Sequence, residues 1–181
     1  MVTAAFTASA SILIAVIAYW LNHHGEKRRA MHQAKLEWVN KQLRELYGPL
    51  LVMADVNETA WKEYKNRHLP DGSQRRRSQS LTEEEARRWK IWVITVFAPA
   101  ALRARDTVVE HGDLVIEKEI PRVLLDFCSH AASLEVLIAE WNSSQEADDL
   151  LVRHPGDDFA KYARASYANL KVVQSKLLGA R

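Results

Sequence analysis

The clearest pair of residues whose spacing could do chemistry is Asp126 and His130. Residues four apart lie on one face of a helix, so this carboxylate could orient the imidazole or share a metal with it. A metal would need further ligands, and Glu110, His111 and Asp113 are the nearest candidates in the sequence. The simpler interpretation is favoured: a polar core pair in which the histidine hydrogen-bonds Asp126.

The sequence contains no motif of a recognised reaction. We find no H-E-x-x-H, no Glu-x-x-His pair of the di-iron bundle type, no G-x-G-x-x-G, no Walker-type loop and no G-x-S-x-G. The single cysteine, Cys128, falls beside an apolar stripe, which favours a small core side chain over a nucleophile. Trp89 and Trp141 fall on apolar stripes, as core tryptophans do. We therefore predict no catalytic residue, no cofactor and no metal, and a metal-dependent helical enzyme stays only a remote alternative.

Three consecutive arginines, Arg75, Arg76 and Arg77, lie in a polar stretch with Pro and Gly at 69–80, which is typical of a loop. They form a possible docking loop for an acidic partner or a lipid headgroup, although such runs are more often solvated loops that maintain solubility. Nucleic acid is disfavoured as a partner, because no aromatic residue is interleaved with these arginines.

Charge is divided along the chain. The segment 106–158 carries 13 Asp and Glu against 3 Lys and Arg, a balance of −10. Since the net charge of the whole chain is +2, the remaining residues together carry +12. Opposite charge in two parts of one chain favours a homo-oligomer or a charged protein partner.

The first 22 residues contain no charged side chain. The run 2–21 would form a helix of about 30 Å at roughly 1.5 Å per residue, which matches the hydrocarbon core of a bilayer. No basic residue precedes it and no small-residue cleavage site follows it, which argues against a cleaved signal peptide. We therefore predict a transmembrane signal-anchor at 1–22 and a basic juxtamembrane segment at 23–35.

The residues flanking this segment predict its orientation. Because positive charge stays on the cytoplasmic side, the N-terminus should lie outside the cytoplasmic (inner) membrane and the rest of the chain in the cytoplasm. The lone cysteine agrees with a reducing compartment. Small residues at four-residue spacing would also permit contact between spans, although a monomeric anchor explains them equally. The predicted membrane flank consists of Tyr19, Trp20, Lys27, Arg28, Arg29 and Lys35.

The remaining chain, 36–181, shows helical periodicity throughout. Four apolar stripes predict four helices, and Pro49 should kink the first of them. A capping box at Ser80 or Thr82 should start the second helix, Pro121 the third, and Asp157 or Asp158 the last. The predicted fold is all-α: a single N-terminal transmembrane helix followed by an antiparallel four-helix bundle. The predicted core stripes begin Leu36, Val39, Leu43; Ala86, Trp89, Val93, Val96, Ala100; Ile120, Leu124, Phe127; and Phe159, Ala163, Ser166.

Two segments resemble a loose family of uncharacterised bacterial single-span membrane proteins. The strings that carry the resemblance are the motif Leu46-Tyr47-Gly48-Pro49-Leu50, EIPRVLLDFCSHAASLEVLIAEW and LKVVQSKLLG. The resemblance implies an anchor followed by a helical cytoplasmic domain, and it brings no activity or cofactor. It makes Tyr47, Pro49, His130 and Trp141 candidates for a shared structural feature.

These observations predict a membrane-tethered helical interaction, scaffold or sensor module at the cytoplasmic face of the membrane. The bilayer is then one partner, and a protein or a second copy of the chain is the other. The alternative is an oligomerising effector that perturbs the membrane when its transmembrane helices assemble.

Overall fold

The computed structural model describes residues 2–68, 82–143 and 154–179, and it leaves the side chains of 2–18, 21 and 22 outside that description. Over these residues the chain is helical and contains no strand, which confirms the predicted all-α class. Its elements are α1 (Val2–Lys41), a first π-helical segment (Gln42–Tyr47), α2 (Gly48–His68), α3 (Glu83–Trp92), a second π-helical segment (Val93–Phe97), α4 (Ala98–Glu110), a 3-10 turn (Gly112–Leu114), α5 (Arg122–Asn142) and α6 (Asp157–Leu177).

The chain divides into two compact units, of which the first comprises Met1–Asn40 and Val173–Arg181. Between His23 and Trp38, every residue of α1 is exposed except Gly25 and Leu36, which are partly buried. Asn40 accepts a hydrogen bond of 2.6 Å from the side-chain amide of Gln174 near the end of α6. The predicted boundaries after residues 22 and 35 lie within α1 and stay predictions.

Within the part of the chain that the structure describes, no helix combines the length and the apolar character needed to cross a bilayer. The predicted span depends on the side chains of 2–18, which lie outside the described residues. The predicted docking loop of Arg75, Arg76 and Arg77 lies outside them as well.

The second unit, Lys41–Val172, is a helical bundle that contains antiparallel helix pairs. In two packed pairs, the residue numbers of contacting side chains rise on one helix as they fall on the other. The contacts that establish this are Gln42 with Leu114 and Trp61 with Phe97, and Lys90 with Trp141 and Arg105 with Glu135.

Buried apolar residues follow the predicted stripes in α5 and α6. On α6, Phe159, Ala163, Ser166 and Leu170 are all buried, as expected for one face of a helix. The stripe predicted for the second helix is wrong after Val93, because the next buried residue is Ala98, five positions on, followed by Ala104 and Val108. Ile120, placed in the third stripe, is 44% exposed because it precedes α5.

The change of phase comes from the π-helical segments, each of which ends two residues before a proline. The N–H of Gly48 donates a hydrogen bond to the carbonyl of Leu43, five residues back, and the next residue is Pro49. In the same way, the N–H of Ala98 donates to the carbonyl of Val93, and the next residue is Pro99. A proline removes one donor and crowds the carbonyl four residues before it, and the wider π turn accommodates both effects. The kink predicted at Pro49 thus takes the form of a π turn.

The starts of the later helices agree with their sequence signals. Thr82 caps α3 in a reciprocal capping box: Glu85 N–H donates to Thr82 Oγ1 at 3.3 Å, and Thr82 N–H donates to the Glu85 carboxylate at 2.8 Å. Ser80, the other predicted cap, lies outside the described residues. Asp157 begins α6, and Pro121 caps α5 rather than lying in its first turn.

Candidate functional site

The first π-helical segment directs two polar side chains, Gln42 and Tyr47, into the interior of the second unit, where both are buried. Gln42 Nε2 donates a hydrogen bond of 2.9 Å to the carbonyl of Leu114. The hydroxyl of Tyr47 accepts one of 3.0 Å from the backbone N–H of Ile116. Because a buried backbone group without a partner is costly, these bonds hold the connection between α4 and α5 in a defined conformation.

Two tyrosine hydroxyls continue this network. Tyr47 Oη lies 3.1 Å from Tyr162 Oη, and Tyr162 donates to the carboxylate of Glu117 at 3.0 Å. The proton of Tyr162 is therefore directed to Glu117, so that the proton of Tyr47 is directed to Tyr162. Burial raises the pKa of both phenols, and each remains a protonated donor at neutral pH.

A cavity of about 520 Å³ lies within the second unit. It is bounded by side chains from α2, α3, the second π-helical segment, α4, α5 and α6, so no single stretch of sequence contains it. Aromatic rings form much of its wall, together with polar side chains. The aromatic wall residues are Trp61, Trp89, Phe97, Phe127 and Phe159, and the amide and imidazole side chains are those of Asn57, His130 and His154.

The aromatic rings make two packed groups. Trp61 lies edge-on to Trp89 and Phe97, with ring centroids 5.9 and 6.1 Å apart. Phe127 of α5 and Phe159 of α6 stack with centroids 3.9 Å apart and planes within 9° of each other. The edge-on contacts of Trp61 stabilise these rings beyond their burial of surface.

The two histidines of the wall face each other. The rings of His130 and His154 are perpendicular, with centroids 4.8 Å apart. The N–H of Gly156 donates to His154 Nδ1 at 2.9 Å, so the ring proton of neutral His154 lies on Nε2. Burial, together with the neighbouring His130, lowers the pKa of His154 to about 4. His154 is therefore a neutral donor at physiological pH.

Three of the four charged residues that line the cavity, Glu58, Lys161 and Arg164, are held in ion pairs, and the fourth, Asp157, is exposed at the start of α6. The Arg164 guanidinium bonds Asp55, at 2.6 and 2.9 Å, and also Glu58. Lys62 pairs with Glu58 at 2.7 Å. Hydrogen bonding to Arg164, followed by that to Lys62, lowers the pKa of Glu58 to about 2, so this carboxylate stays ionised.

The predicted polar core pair takes a different form in the structure. Asp126 and His130 lie four apart on α5, but the carboxylate of Asp126 bonds Arg122 Nε at 2.8 Å, and His130 lies against His154. Glu110, His111 and Asp113, the further metal candidates, lie at the end of α4 and in the turn after it. Among the described residues, no group of three or more His, Cys, Asp or Glu side chains is placed to hold a metal ion.

The remaining predicted residues lie as follows. Trp89 and Trp141 pack against the buried cluster that includes Val93 and Leu134. Cys128 is half-buried, and its burial raises the pKa of the thiol, as expected of a structural cysteine. In the first unit, the membrane-flank residues Tyr19, Trp20, Lys27, Arg28, Arg29 and Lys35 are all exposed on α1.

Two important residues carry no signal in the sequence. Gln42 lies in a helical stripe next to Leu43 and gives no sign that it reaches across to Leu114. His154 lies in a polar connection, and only the fold brings it to His130. Comparisons of this chain with protein-family models, curated proteins and solved structures find no match.

Proposed function

We propose that this protein is a membrane-tethered helical interaction or sensor module that acts at the cytoplasmic face of the membrane. The observation that carries the proposal is the exposed part of α1. Tyr19 and Trp20 are 72% and 60% exposed, and they are followed on the same helix by the exposed cations Lys27, Arg28 and Arg29. Aromatic rings followed by cations are typical of the cytoplasmic end of a membrane anchor.

The stability of this part of α1 supports the same proposal. A helix that is exposed on all sides and buries no apolar stripe gains little stabilisation from packing. The uncharged residues 2–21 would anchor its N-terminal end in a bilayer. Each cation near an anionic leaflet would contribute on the order of 1 kcal/mol to surface attraction. The sensing or binding part of the protein is then the second unit with its cavity.

Membrane extraction tests the tether directly. We expect the full chain to stay in the membrane fraction after washing with alkaline carbonate, and a chain without residues 2–21 to become soluble with its helical circular dichroism retained. Reporter fusions at the two termini should place the N-terminus outside and the C-terminus in the cytoplasm. Release of the full chain by carbonate, or membrane retention of the shortened chain, would contradict the tether.

A second candidate is an oligomerising effector that perturbs the membrane. Met31 and Trp38 favour it, since both large apolar side chains are exposed on α1 and are seven residues apart. Side chains at this spacing share one face of a helix and are typical of self-associating helices. Assembly through this face would bring several N-terminal segments together.

Controlled expression separates the two candidates. An effector should collapse the membrane potential, and the double substitution Met31→Ala and Trp38→Ala should abolish both the collapse and the cross-linked oligomer. Gln33→Ala, at an exposed position on a different face of α1, is the matched control. An intact membrane potential at high expression favours the tethered module.

A further inference from the structure

The cavity of the second unit has the size and the lining of a small-molecule site. At about 520 Å³ it lies within the range of roughly 300–1,000 Å³ that is usual for ligand pockets. Mostly apolar walls with a few convergent polar groups are the usual composition of such pockets. The small residues Ala100 and Ala101 of α4 face the cavity, where larger side chains would fill it. The space is therefore maintained by residue type as well as by helix packing.

The walls favour a flat aromatic ligand. Trp61, Trp89 and Phe97 lie on one side, and the stacked pair Phe127 and Phe159 belongs to other helices. Aromatic molecules pack on such rings by offset stacking or edge-on contact, which contributes beyond the surface that is buried.

The charges beside the cavity favour an uncharged ligand. Arg164 already bonds Asp55 and Glu58, and Lys161 lies 3.7 Å from Asp158. A ligand carboxylate would have to displace these protein carboxylates, and a ligand ammonium would have to compete with Arg164 for Glu58. Neither exchange gains a new opposite charge. The remaining charged residue of the lining, Asp157, is exposed, and an ion pair with a solvated carboxylate contributes little. An ionised ligand would therefore lose its hydration with little compensation.

One neutral hydrogen-bond donor is oriented within this lining. The Nδ1 atom of His154 is occupied by the N–H of Gly156, which leaves Nε2–H as the donor. Among the described residues this Nε2–H has no acceptor. A carbonyl or hydroxyl oxygen of a ligand can accept from it, and the half-buried setting favours such a bond over one to water.

We infer that the cavity is a binding site for an uncharged aromatic molecule that carries a carbonyl or hydroxyl oxygen, with His154 as its hydrogen-bond donor. The inference goes beyond the tethering proposed above. Binding measured in detergent does not depend on whether residues 2–21 span a bilayer, so the two proposals can fail separately.

Equilibrium dialysis with matched naphthalene probes tests the inference on the full chain in mild detergent. The same detergent on both sides of the membrane cancels the uptake of probe by micelles. The probes are 2-acetylnaphthalene, 2-ethylnaphthalene, 2-naphthoate and 2-(aminomethyl)naphthalene, which differ only in the substituent. We expect the neutral ketone to bind most tightly, and ethylnaphthalene to bind about five- to tenfold more weakly because it makes no hydrogen bond.

Two variants assign the binding to this cavity. His154→Phe should weaken the ketone about five- to tenfold and leave ethylnaphthalene unchanged, whereas Ala100→Leu should weaken both at least tenfold by filling the space. His32→Phe and Ala132→Leu make the same changes at exposed positions and should have no effect. Thermal unfolding by circular dichroism shows which variants are folded, and Ala100→Leu decides the outcome if His154→Phe is unfolded.

Three results would overturn the inference. The first is that the ketone does not bind to the unmodified chain. The second is that naphthoate or the ammonium probe binds more tightly than the ketone, which would contradict the charge argument. The third is that folded Ala100→Leu, or folded His154→Phe, binds the ketone as tightly as the unmodified chain does.

Discussion

The hydroxyl oxygens of Tyr47 and Tyr162 lie 3.1 Å apart, although 115 residues separate them in the chain. This contact joins the first π-helical segment to α6, and both tyrosines also bond the connection that precedes α5: Tyr47 to the N–H of Ile116 and Tyr162 to Glu117. The motif around Tyr47, Gly48 and Pro49 therefore has a structural role. Its π turn directs Tyr47 at a segment that has no regular hydrogen bonding of its own.

Removal of the Tyr47 hydroxyl should destabilise the second unit. In Tyr47→Phe the N–H of Ile116 loses its acceptor, and Tyr162 loses a donor, which should lower the free energy of unfolding by about 1–3 kcal/mol. Urea unfolding followed by circular dichroism measures the change. Tyr167→Phe is the matched control, because the Tyr167 hydroxyl makes no hydrogen bond among the described residues, and it should change stability little. Equal effects of the two substitutions would show that the network contributes nothing.

Gly48 should not tolerate a side chain. Replacing a glycine inside a helix by alanine usually stabilises a protein by about 0.5–1 kcal/mol. At Gly48 a Cβ atom would lie 2.5 Å from the carbonyl oxygen of Leu43, so Gly48→Ala should instead lower the thermal midpoint. Gly25→Ala provides the matched control, since nothing lies within 4 Å of the added atom. It should leave the midpoint unchanged or raise it slightly, and the same result at Gly48 would contradict the π turn.

Stability should fall in mild acid because of His154. Its folded pKa of about 4 lies below the usual value of 6.5, so the unfolded chain binds the proton more readily. The contribution is fully present above pH 6.5 and is lost as the pH falls toward 4. Its size is on the order of 1–2 kcal/mol after allowance for solvent screening.

Urea unfolding at pH 7 and pH 4.5 measures this dependence. In His154→Gln the difference between the two pH values should shrink, because the group that titrates has been removed. His32→Gln, at an exposed position on α1, should leave the difference as it is in the unmodified chain. An unchanged pH difference in His154→Gln would assign the acid sensitivity to other groups.

The three arginines at 75–77 provide a test of the proposed docking loop. The triple substitution Arg75→Ala, Arg76→Ala and Arg77→Ala should keep the helical circular dichroism of the chain, because it falls outside the apolar stripes. Its binding to vesicles with phosphatidylserine should weaken severalfold at low salt, and the difference should fade as salt screens the charges. A triple substitution of Lys27, Arg28 and Arg29 to alanine shows the effect of an equal charge loss on α1. Unchanged vesicle binding by the loop variant would contradict the docking role and show that these arginines are only a solvated part of the surface.

Local patterns in the sequence predicted the helices well. Apolar residues at helical spacing, the capping box of Thr82 and the acidic start of α6 each act within a few residues, so the chain alone is sufficient to reveal them. The same reasoning failed in the second helix, where the buried positions after Val93 depart from the predicted stripe. A π turn leaves the 3.6-residue period, and the proline that accompanies it signals only that the helix is disturbed.

The tertiary structure decided the candidate site. The 3.6-residue period of the sequence determined that this protein is built of helices, and the uncharged first 22 residues motivate the proposed tether. The cavity, the facing rings of His130 and His154, and the link from Gln42 to Leu114 join residues from distant parts of the chain. Such contacts depend on how helices pack and which side chains meet, and a one-dimensional period carries no information about either. The sequence by itself therefore determined the elements, and packing alone decided which of their polar residues lie together.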